Sequence, residues 1–229
     1  RVGGELRCRA VAARGVQRGG VADLVDHEHD VARTAVGVDV VDEAGRGALA
    51  GPVSVGAVVL VRPLSWADVP GLKDSKKLTA KKRDEWFAWI QANEDIAWAV
   101  EFSSAEHIDD GGIVAACNGA ASRAAARLAA PESADLLLDA GLKVLPVDVW
   151  RQRAIVRGDE TEVAIALASI VAKVTRDRLM IRLGMLYPGY GFESHKGYSV
   201  PAHFNALARL GPTIHHRRSF APVAAAYGD

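Results

Sequence analysis

Ala35-Val36-Gly37-Val38-Asp39-Val40-Val41-Asp42-Glu43-Ala44-Gly45-Arg46-Gly47 is the stretch on which the fold turns. Its first part is apolar and β-branched, as in a buried strand. Two adjacent carboxylates follow, then Gly-Arg-Gly. Strand interiors disfavour Asp, and paired acids repel unless a cation lies between them. The stretch therefore predicts a strand from Ala35 to about Asp42 whose end delivers metal ligands, followed by a loop that meets a phosphate backbone. Gly45, Gly47 and Gly51 make a short flexible link to a second strand, Val53–Val61. So short a link favours an antiparallel pair.

Further along, Thr79 is the expected N-cap of a helix from Ala80 to about Asn93, with Trp86, Phe87 and Ile90 inward. Ile96–Phe102 reads as a third strand. Ser104 caps a short helix ended by Gly111-Gly112, and an Ala-rich helix runs from Ile113 to about Ala129, before Pro131. Asp135–Asp139 is a short buried strand, and Arg153–Val156 a fifth, closed by Gly158-Asp159. Thr161 to about Tyr187 forms a long helix, apolar on nearly all sides from Val163 to Val174. A loop at 188–192, a helix near Val200–Leu210 and a short helix after Ser219 complete the chain. The order predicts an α/β domain with a mixed sheet and a helical C-terminal part. Residues 1–34 show no sustained periodicity and read as a disordered or marginally helical extension; 35–229 form a single domain, its helical part starting at about 188.

The chain has 229 residues, 49% of them hydrophobic, enough for one domain with a core. Lys+Arg and Asp+Glu are both 28, so the net charge is zero and gives no sign of a nucleic-acid partner. The local distribution does. Residues 73–83 carry Lys73, Lys76, Lys77, Lys81, Lys82 and Arg83 against Asp74 alone, and 173–218 are basic as well, which suits an anionic ligand. Cys8 and Cys117 have no metal-binding spacing and make a disulfide framework unexpected, so a reducing, cytoplasmic setting is the default. No apolar run approaches the ~20 residues of a membrane span, and the N-terminus does not read as a signal peptide.

Three strands end in or are followed by acids: Asp42 with Glu43, Asp139, and Asp159. In α/β sheets ligands bind at the carboxyl ends of parallel strands. If strands one, four and five are parallel neighbours, these carboxylates converge at one edge. Neighbouring residues on a strand face opposite ways, so Asp42 and Glu43 share a site only if the strand breaks between them. Converging carboxylates cannot all stay ionised without cations, and oxygen-only ligands select Mg²⁺ or Mn²⁺. Two such ions ~4 Å apart would activate a water and stabilise the leaving oxygen of a phosphodiester. Taken singly, Asp139 or Asp159 is as readily an ordinary turn residue. Asp39, by parity on the opposite face from Asp42, reads as structural.

The chain from about 35 to 223 resembles bacterial ribonuclease HII. The resemblance rests on Asp42-Glu43-Ala44-Gly45-Arg46-Gly47 with Leu49-Ala50-Gly51-Pro52-Val53, on Asp74-Ser75-Lys76-Lys77-Leu78, on Gly158-Asp159, and on Ala168–Asp177. It continues through Tyr187–Phe192, His195-Lys196-Gly197-Tyr198 and His216–Val223. It implies an RNase H-like fold, a mixed five-stranded sheet flanked by helices with a helical C-terminal extension. It implies a metal-dependent endonuclease acting on the RNA strand of RNA–DNA hybrids and beside single ribonucleotides in duplex DNA. By motif position, the metal-binding and catalytic acids are Asp42, Glu43, Asp139 and Asp159. Gly45, Arg46 and Gly47 would sense the 2′-OH, the handle that separates ribose from deoxyribose, and glycine allows the close approach. Tyr198 would lie against the sugar on the 3′ side. Lys76, Lys173 and Arg46 are candidate phosphate contacts, although Lys76 fits an ordinary solvated lysine and Lys173 could pair with Asp177 four residues on. His216-Arg217-Arg218 binds phosphate or caps a helix, and the tryptophans (Trp66, Trp86, Trp89, Trp98, Trp150) are expected mostly in the core. The protein is expected to be a monomer. Two alternatives remain: another nuclease on the same fold, which would need the acids but not Gly45–Gly47 or Tyr198, and a non-catalytic hybrid-binding module, which would not need the acids.

Overall fold

The computed structural model describes residues 39–128, 135–147 and 151–227. The expected extension at 1–34 with Cys8, the start of the first strand at Ala35, the side-chain setting of Asp39, and Trp150 lie outside what is described.

Five strands form one sheet: β1 (Asp39–Ala44), β2 (Val53–Leu60), β3 (Ile96–Ser103), β4 (Asp135–Asp139) and β5 (Arg151–Ile155), in the order β3-β2-β1-β4-β5. β1 pairs antiparallel with β2 and parallel with β4; β2–β3 is antiparallel and β4–β5 parallel. This is the expected mixed sheet, with strands one, four and five as parallel neighbours. Every residue of β2 is buried, because helices cover both faces of the sheet at its centre. On one face lie α1 (Ala80–Ala92) and α4 (Val163–Leu186), which place Phe87, Ile90, Ile165 and Ile170 against Val58 and Trp98. On the other lies α2 (Ala105–Arg127), whose small side chains Ala120, Ala121 and Ala124 allow close packing on Val53, Val55 and Leu136.

Helix ends follow local chemistry. Thr79 accepts the Lys82 amide at 3.2 Å and Ser104 the His107 amide at 3.2 Å, so both caps stand where expected. Gly112, with φ 80° and ψ 160°, interrupts α2 at the expected glycine pair. Gly56 sets the distance between β2 and α4. A Cβ there would lie 2.5 Å from the Ala168 carbonyl oxygen and 2.8 Å from the Ala172 nitrogen, so only glycine admits the helix this close. In the β1–β2 register Gly56 stands opposite Asp42, so this close approach of α4 to the sheet falls beside that acid.

Beyond α4 come α5 (Phe192–His195), α6 (Pro201–Leu210) and α7 (Ala221–Tyr227). Phe192, Tyr190 and Ala206 pack with Leu179, Met180 and Ala50, so this part sits on α4 and on the loop after β1.

Two expectations change. β1 does not end at Asp42, because its pairing with β2 continues through Ala44. Thr161 does not open the long helix. Gly158–Thr161 is a separate turn, α3, and Glu162, extended at φ −118°, divides it from α4. The described tryptophans are not all core: Trp86 and Trp89 pack against it and Trp66 does not. Trp98 is buried, but Trp66 lies at the surface with its indole N–H on the Thr161 carbonyl at 3.2 Å, and Trp86 and Trp89 are half-buried in an edge-to-face pair.

Candidate active site

Asp42 is buried near the end of β1, opposite Gly56. Pairing with β4 stops at Val41, so β1 is held on one side only from Asp42 onward. There Asp42 turns its side chain onto the next amide: Glu43 N–H donates to its Oδ1 at 2.7 Å. No strand break is needed for the two acids to meet. One carboxylate oxygen from each of Asp42, Glu43 and Asp139 lies within 4.8 Å of the others. Asp139, the last residue of β4, reaches the group because β1 and β4 are parallel neighbours.

The electrostatics are those of a site short of positive charge. Burial, then Glu43 and Asp139, push the Asp42 carboxyl well above the usual carboxylate range, against opposing hydrogen bonds from the Ser169 hydroxyl and the Glu43 amide. Burial and Asp139 raise Glu43 too, while Arg46 and Lys76 oppose. Glu43 Oε2 and Asp139 Oδ1 are buried with no hydrogen-bond partner. A buried carboxylate oxygen without a donor is costly, and a divalent cation would satisfy both. The oxygen-only donor set, the crowding and the orphaned atoms all fit a hard cation.

Asp159 stands apart. It lies on α3, beyond the end of β5, and is not among the three clustered acids. It is linked to them through Lys76, whose Nζ lies 3.8 Å from Asp159 Oδ2. Burial raises its carboxyl, Asp74 raises it further, Lys76 opposes, and Asp139 adds a smaller upward push. Burial works against the Lys76 charge, but Asp159, Asp42, Asp74 and Asp139 outweigh it and hold its pKa above the ordinary value. The Lys76 side chain is 76% exposed and faces solvent over the acids. The 3₁₀ turn Ser75–Lys77 that carries it is fixed by Asp74, which accepts the Lys76 amide at 2.8 Å. Its Ser75 Oγ lies 2.8 Å from Ser169 Oγ, so the turn is also hydrogen-bonded to the serine that faces Asp42.

The loop after β1 is tied to the C-terminal part. Arg217 donates to the carbonyls of Gly45 and Arg46, each at 2.8 Å, and is fully buried. Leu49 N–H donates to the Gly197 carbonyl at 2.8 Å, which joins the loop to the segment carrying Tyr198. Arg46 extends outward, 3.6 Å from Glu43. Gly47 has open space where a Cβ would stand. Lys173 pairs with Asp177 at 2.7 Å, the i,i+4 arrangement read from sequence, and its Nζ also lies 5.5 Å from the centre of the Tyr198 ring. In the His216-Arg217-Arg218 cluster the first two residues are buried, so neither offers a surface for phosphate; the Arg218 and Ser219 amides bind Asp109.

Several motif residues lie at or behind the site in roles the sequence did not give them: Asp74, Ser75, Ser169, Arg176, Arg217 and His216, whose Nε2 lies 3.1 Å from that of His203. One signal was present. A lone Ser169 in an apolar, Ala-rich helix needs a polar partner.

A mixed five-stranded sheet in the order β3-β2-β1-β4-β5, with carboxylates gathered near the ends of β1 and β4, defines the class: proteins of the RNase H fold. The family model for Ribonuclease HII matches residues 40–223, and the chain belongs to that family. A ribonuclease HII of Rhodopseudomonas palustris (strain BisB5) is 51% identical over 187 residues, covering 81% of this chain and 60% of the relative. One of Geobacillus kaustophilus is 46% identical over 183 residues, covering 80% of this chain and 67% of that one. Against the R. palustris protein, then, the match spans only about three-fifths of the relative's length. Among solved structures, the RNase HII of the PCNA:RNase HII complex from Archaeoglobus fulgidus superposes with a TM-score of 0.64 at 26% identity, over 79% of this chain and 92% of that one.

Proposed function

We propose that this chain is a metal-dependent endoribonuclease. It cleaves the RNA strand of RNA–DNA hybrids, and the 5′ side of a single ribonucleotide within duplex DNA, leaving 3′-hydroxyl and 5′-phosphate ends. The observation that carries the reading is the trio Asp42, Glu43 and Asp139, with two orphaned buried oxygens, beside a glycine loop joined to the Tyr198 segment. Family membership supports it.

Asp42, Glu43 and Asp139 would hold Mg²⁺ or Mn²⁺, with Asp159 completing the set. The bound cations supply an activated water and charge stabilisation at the departing oxygen. The chain does the rest. Lys76, exposed above the acids, meets a backbone phosphate of the incoming strand. Gly45, Arg46 and Gly47 present backbone to the ribose, where glycine lets the chain approach the 2′-OH. The Tyr198 ring packs on the next sugar, a contact that a 2′-OH would hinder. Lys173, already paired with Asp177, acts as a partly neutralised phosphate contact. We assign the protein to a reducing cytosol as a monomer, in keeping with the free, buried thiol of Cys117, pushed up to about 11 by burial. Among the described residues no helix is long and apolar enough to cross a membrane.

The test is a labelled DNA duplex with one ribonucleotide and a labelled RNA–DNA hybrid, each with Mg²⁺ or Mn²⁺ and with chelator. The expected result is cation-dependent cutting 5′ of the ribonucleotide, abolished in Asp42→Asn with hybrid binding retained. Absence of cutting in the wild type, or turnover by Asp42→Asn with Mn²⁺, overturns the proposal.

A further inference from the structure

Two arginines lie fully buried beneath the loop 45–52, and the hydrogen-bond partners described for their guanidinium groups are all carbonyl oxygens. Arg176, on α4, donates from Nε to Pro52 at 2.9 Å, from Nη2 to Ala50 at 3.2 Å and from Nη1 to Lys196 at 3.0 Å. Arg217 donates to Gly45, Arg46 and Gly51, with Nε and Nη2 sharing the Gly51 oxygen at 3.1 and 2.9 Å. Burying a guanidinium without a carboxylate is expensive, and two adjacent ones repel. Burial and then Arg176 accordingly pull Arg217 down to about 9. An arrangement this unfavourable for stability alone calls for what a guanidinium does uniquely, which is to hold several acceptors in one rigid plane.

The acceptors belong to two different segments. Arg176 reaches Ala50 and Pro52 in the loop after β1, and Lys196 two residues before Tyr198; its Cζ also lies 5.4 Å from the centre of the Tyr198 ring. The segments already touch through Leu49 N–H to the Gly197 carbonyl, and a Cβ on Gly197 would lie 2.3 Å from the Ala50 oxygen. Gly45 is locked from below as well: its φ is +91°, and a Cβ there would lie 1.9 Å from Arg176 Nε. Arg176 thus sets the gap between the segments, and Arg217 fixes the Gly45 and Arg46 carbonyls, which determines where the amides of 45–47 point.

We infer that Arg176 and Arg217 are positioning residues that fix the distance between the Gly45-Arg46-Gly47 backbone and the Tyr198 ring, and with it the preference for an isolated ribonucleotide followed by a deoxyribose over continuous RNA. The inference rests on the functional reading above. Continuous RNA offers a 2′-OH in every register, so a loop displaced by a fraction of an ångström still finds one. A single ribonucleotide offers one register, and both contacts must be met together.

The experiment measures kcat/KM for the single-ribonucleotide duplex and for an all-RNA strand in a hybrid, in wild type, Arg176→Lys and Arg217→Lys. Lysine keeps the charge and loses the fork. The ratio of the two values cancels any loss of folded protein, so destabilisation alone leaves it unmoved. The expected result is a ratio lowered roughly tenfold or more in Arg176→Lys, since small misplacements of reacting groups carry penalties of that size. A smaller fall in the same direction is expected for Arg217→Lys. An unchanged ratio, or parallel loss on both substrates up to complete inactivity, overturns the inference. A wild type that ignores the single-ribonucleotide duplex overturns the functional reading instead, and that arm is scored separately.

Discussion

Replacing Asp42 by Asn should make the cation-free protein more stable while removing its response to metal. At the separation of up to 4.8 Å within the acidic trio, two unit charges at an effective dielectric of ~20 repel by about 3.5 kcal/mol. Asp42 faces two such neighbours. Partial protonation and the incomplete burial of Glu43 and Asp139 reduce the relief to a net gain of roughly 2 kcal/mol. Asn retains an Oδ1 for the Glu43 amide and offers an NH₂ to the orphaned Glu43 Oε2 or Asp139 Oδ1. In a domain of this size that gain is a rise of about 4–8 °C in Tm. The assay is thermal unfolding at pH 8 in EDTA, repeated with Mg²⁺ or Mn²⁺. Because the folded pKa of Asp42 is raised, the wild type keeps that proton where the unfolded chain has lost it. The wild type's stability is therefore full below the unfolded value and falls as pH rises through the folded one. The gap in favour of Asp42→Asn should open with rising pH and close in acid. Added metal should raise the wild-type Tm and leave the variant's nearly still. A variant less stable than wild type at pH 8 in EDTA, or an equal metal response in both, refutes the reasoning.

Gly45→Ala and Gly47→Ala should separate strongly. The first places a Cβ against Arg176 at φ +91° and should lose about 2 kcal/mol or more, whereas the second has open space and should stay within about 0.5 kcal/mol in chemical denaturation while cutting more slowly. Gly56→Val should drive α4 from the sheet beside Asp42 and cost roughly 2–4 kcal/mol; a stability change below 1 kcal/mol would show that the helix can move without penalty. Lys76→Ala should raise KM and lower the salt slope of hybrid binding by about 1, checked by titration at several ionic strengths. His216→Gln should lessen acid lability. Burial, with His203 and His215 beside it, holds His216 down at about 4, so the neutral form's contribution is present above the unfolded value near 6.5 and is lost as pH falls towards 4. Unfolding curves between pH 4 and 8 read this, and an unchanged wild-type profile in the variant would exclude His216 as its source. This histidine effect opposes in sign the Asp42 effect, which is why the Asp42 prediction is framed as a difference between two proteins sharing His216.

Local chemistry made much of the fold legible. Val53–Val61 and Ile96–Phe102 read as strands because β2 and β3 are apolar, and Thr79 and Ser104 announced their helices because a capping oxygen acts within three residues. The strand-end acids were visible because carboxylates at such positions conflict with strand propensity. The convergence of Asp42 with Glu43 was harder. Alternation along an ideal strand forbids it, and what permits it is the loss of β4 pairing after Val41 together with the turn of Asp42 onto the next amide. Arg176 and Arg217 were hidden for a different reason. An arginine in a basic stretch reads as a phosphate contact or a helix cap, and nothing within several residues signals that its partners are carbonyls from a loop 124 to 172 positions away. The same holds for Asp159. Its place after a strand was clear, but α3 holds it outside the trio, with the Lys76 ammonium 3.8 Å from its Oδ2.

The tie between Arg217 and the Gly45 carbonyl spans 172 residues. During synthesis on the ribosome, the sheet, α4 and all four acids emerge before the residue that fixes the loop. A nascent chain, or one truncated after Gly211, would carry every proposed metal ligand and yet lack both Arg217 and the Leu49–Arg217 backbone bond. The proposed cation site and the proposed sugar-reading loop are thus completed at different moments in the life of the chain. The second is completed only once Arg217 has emerged.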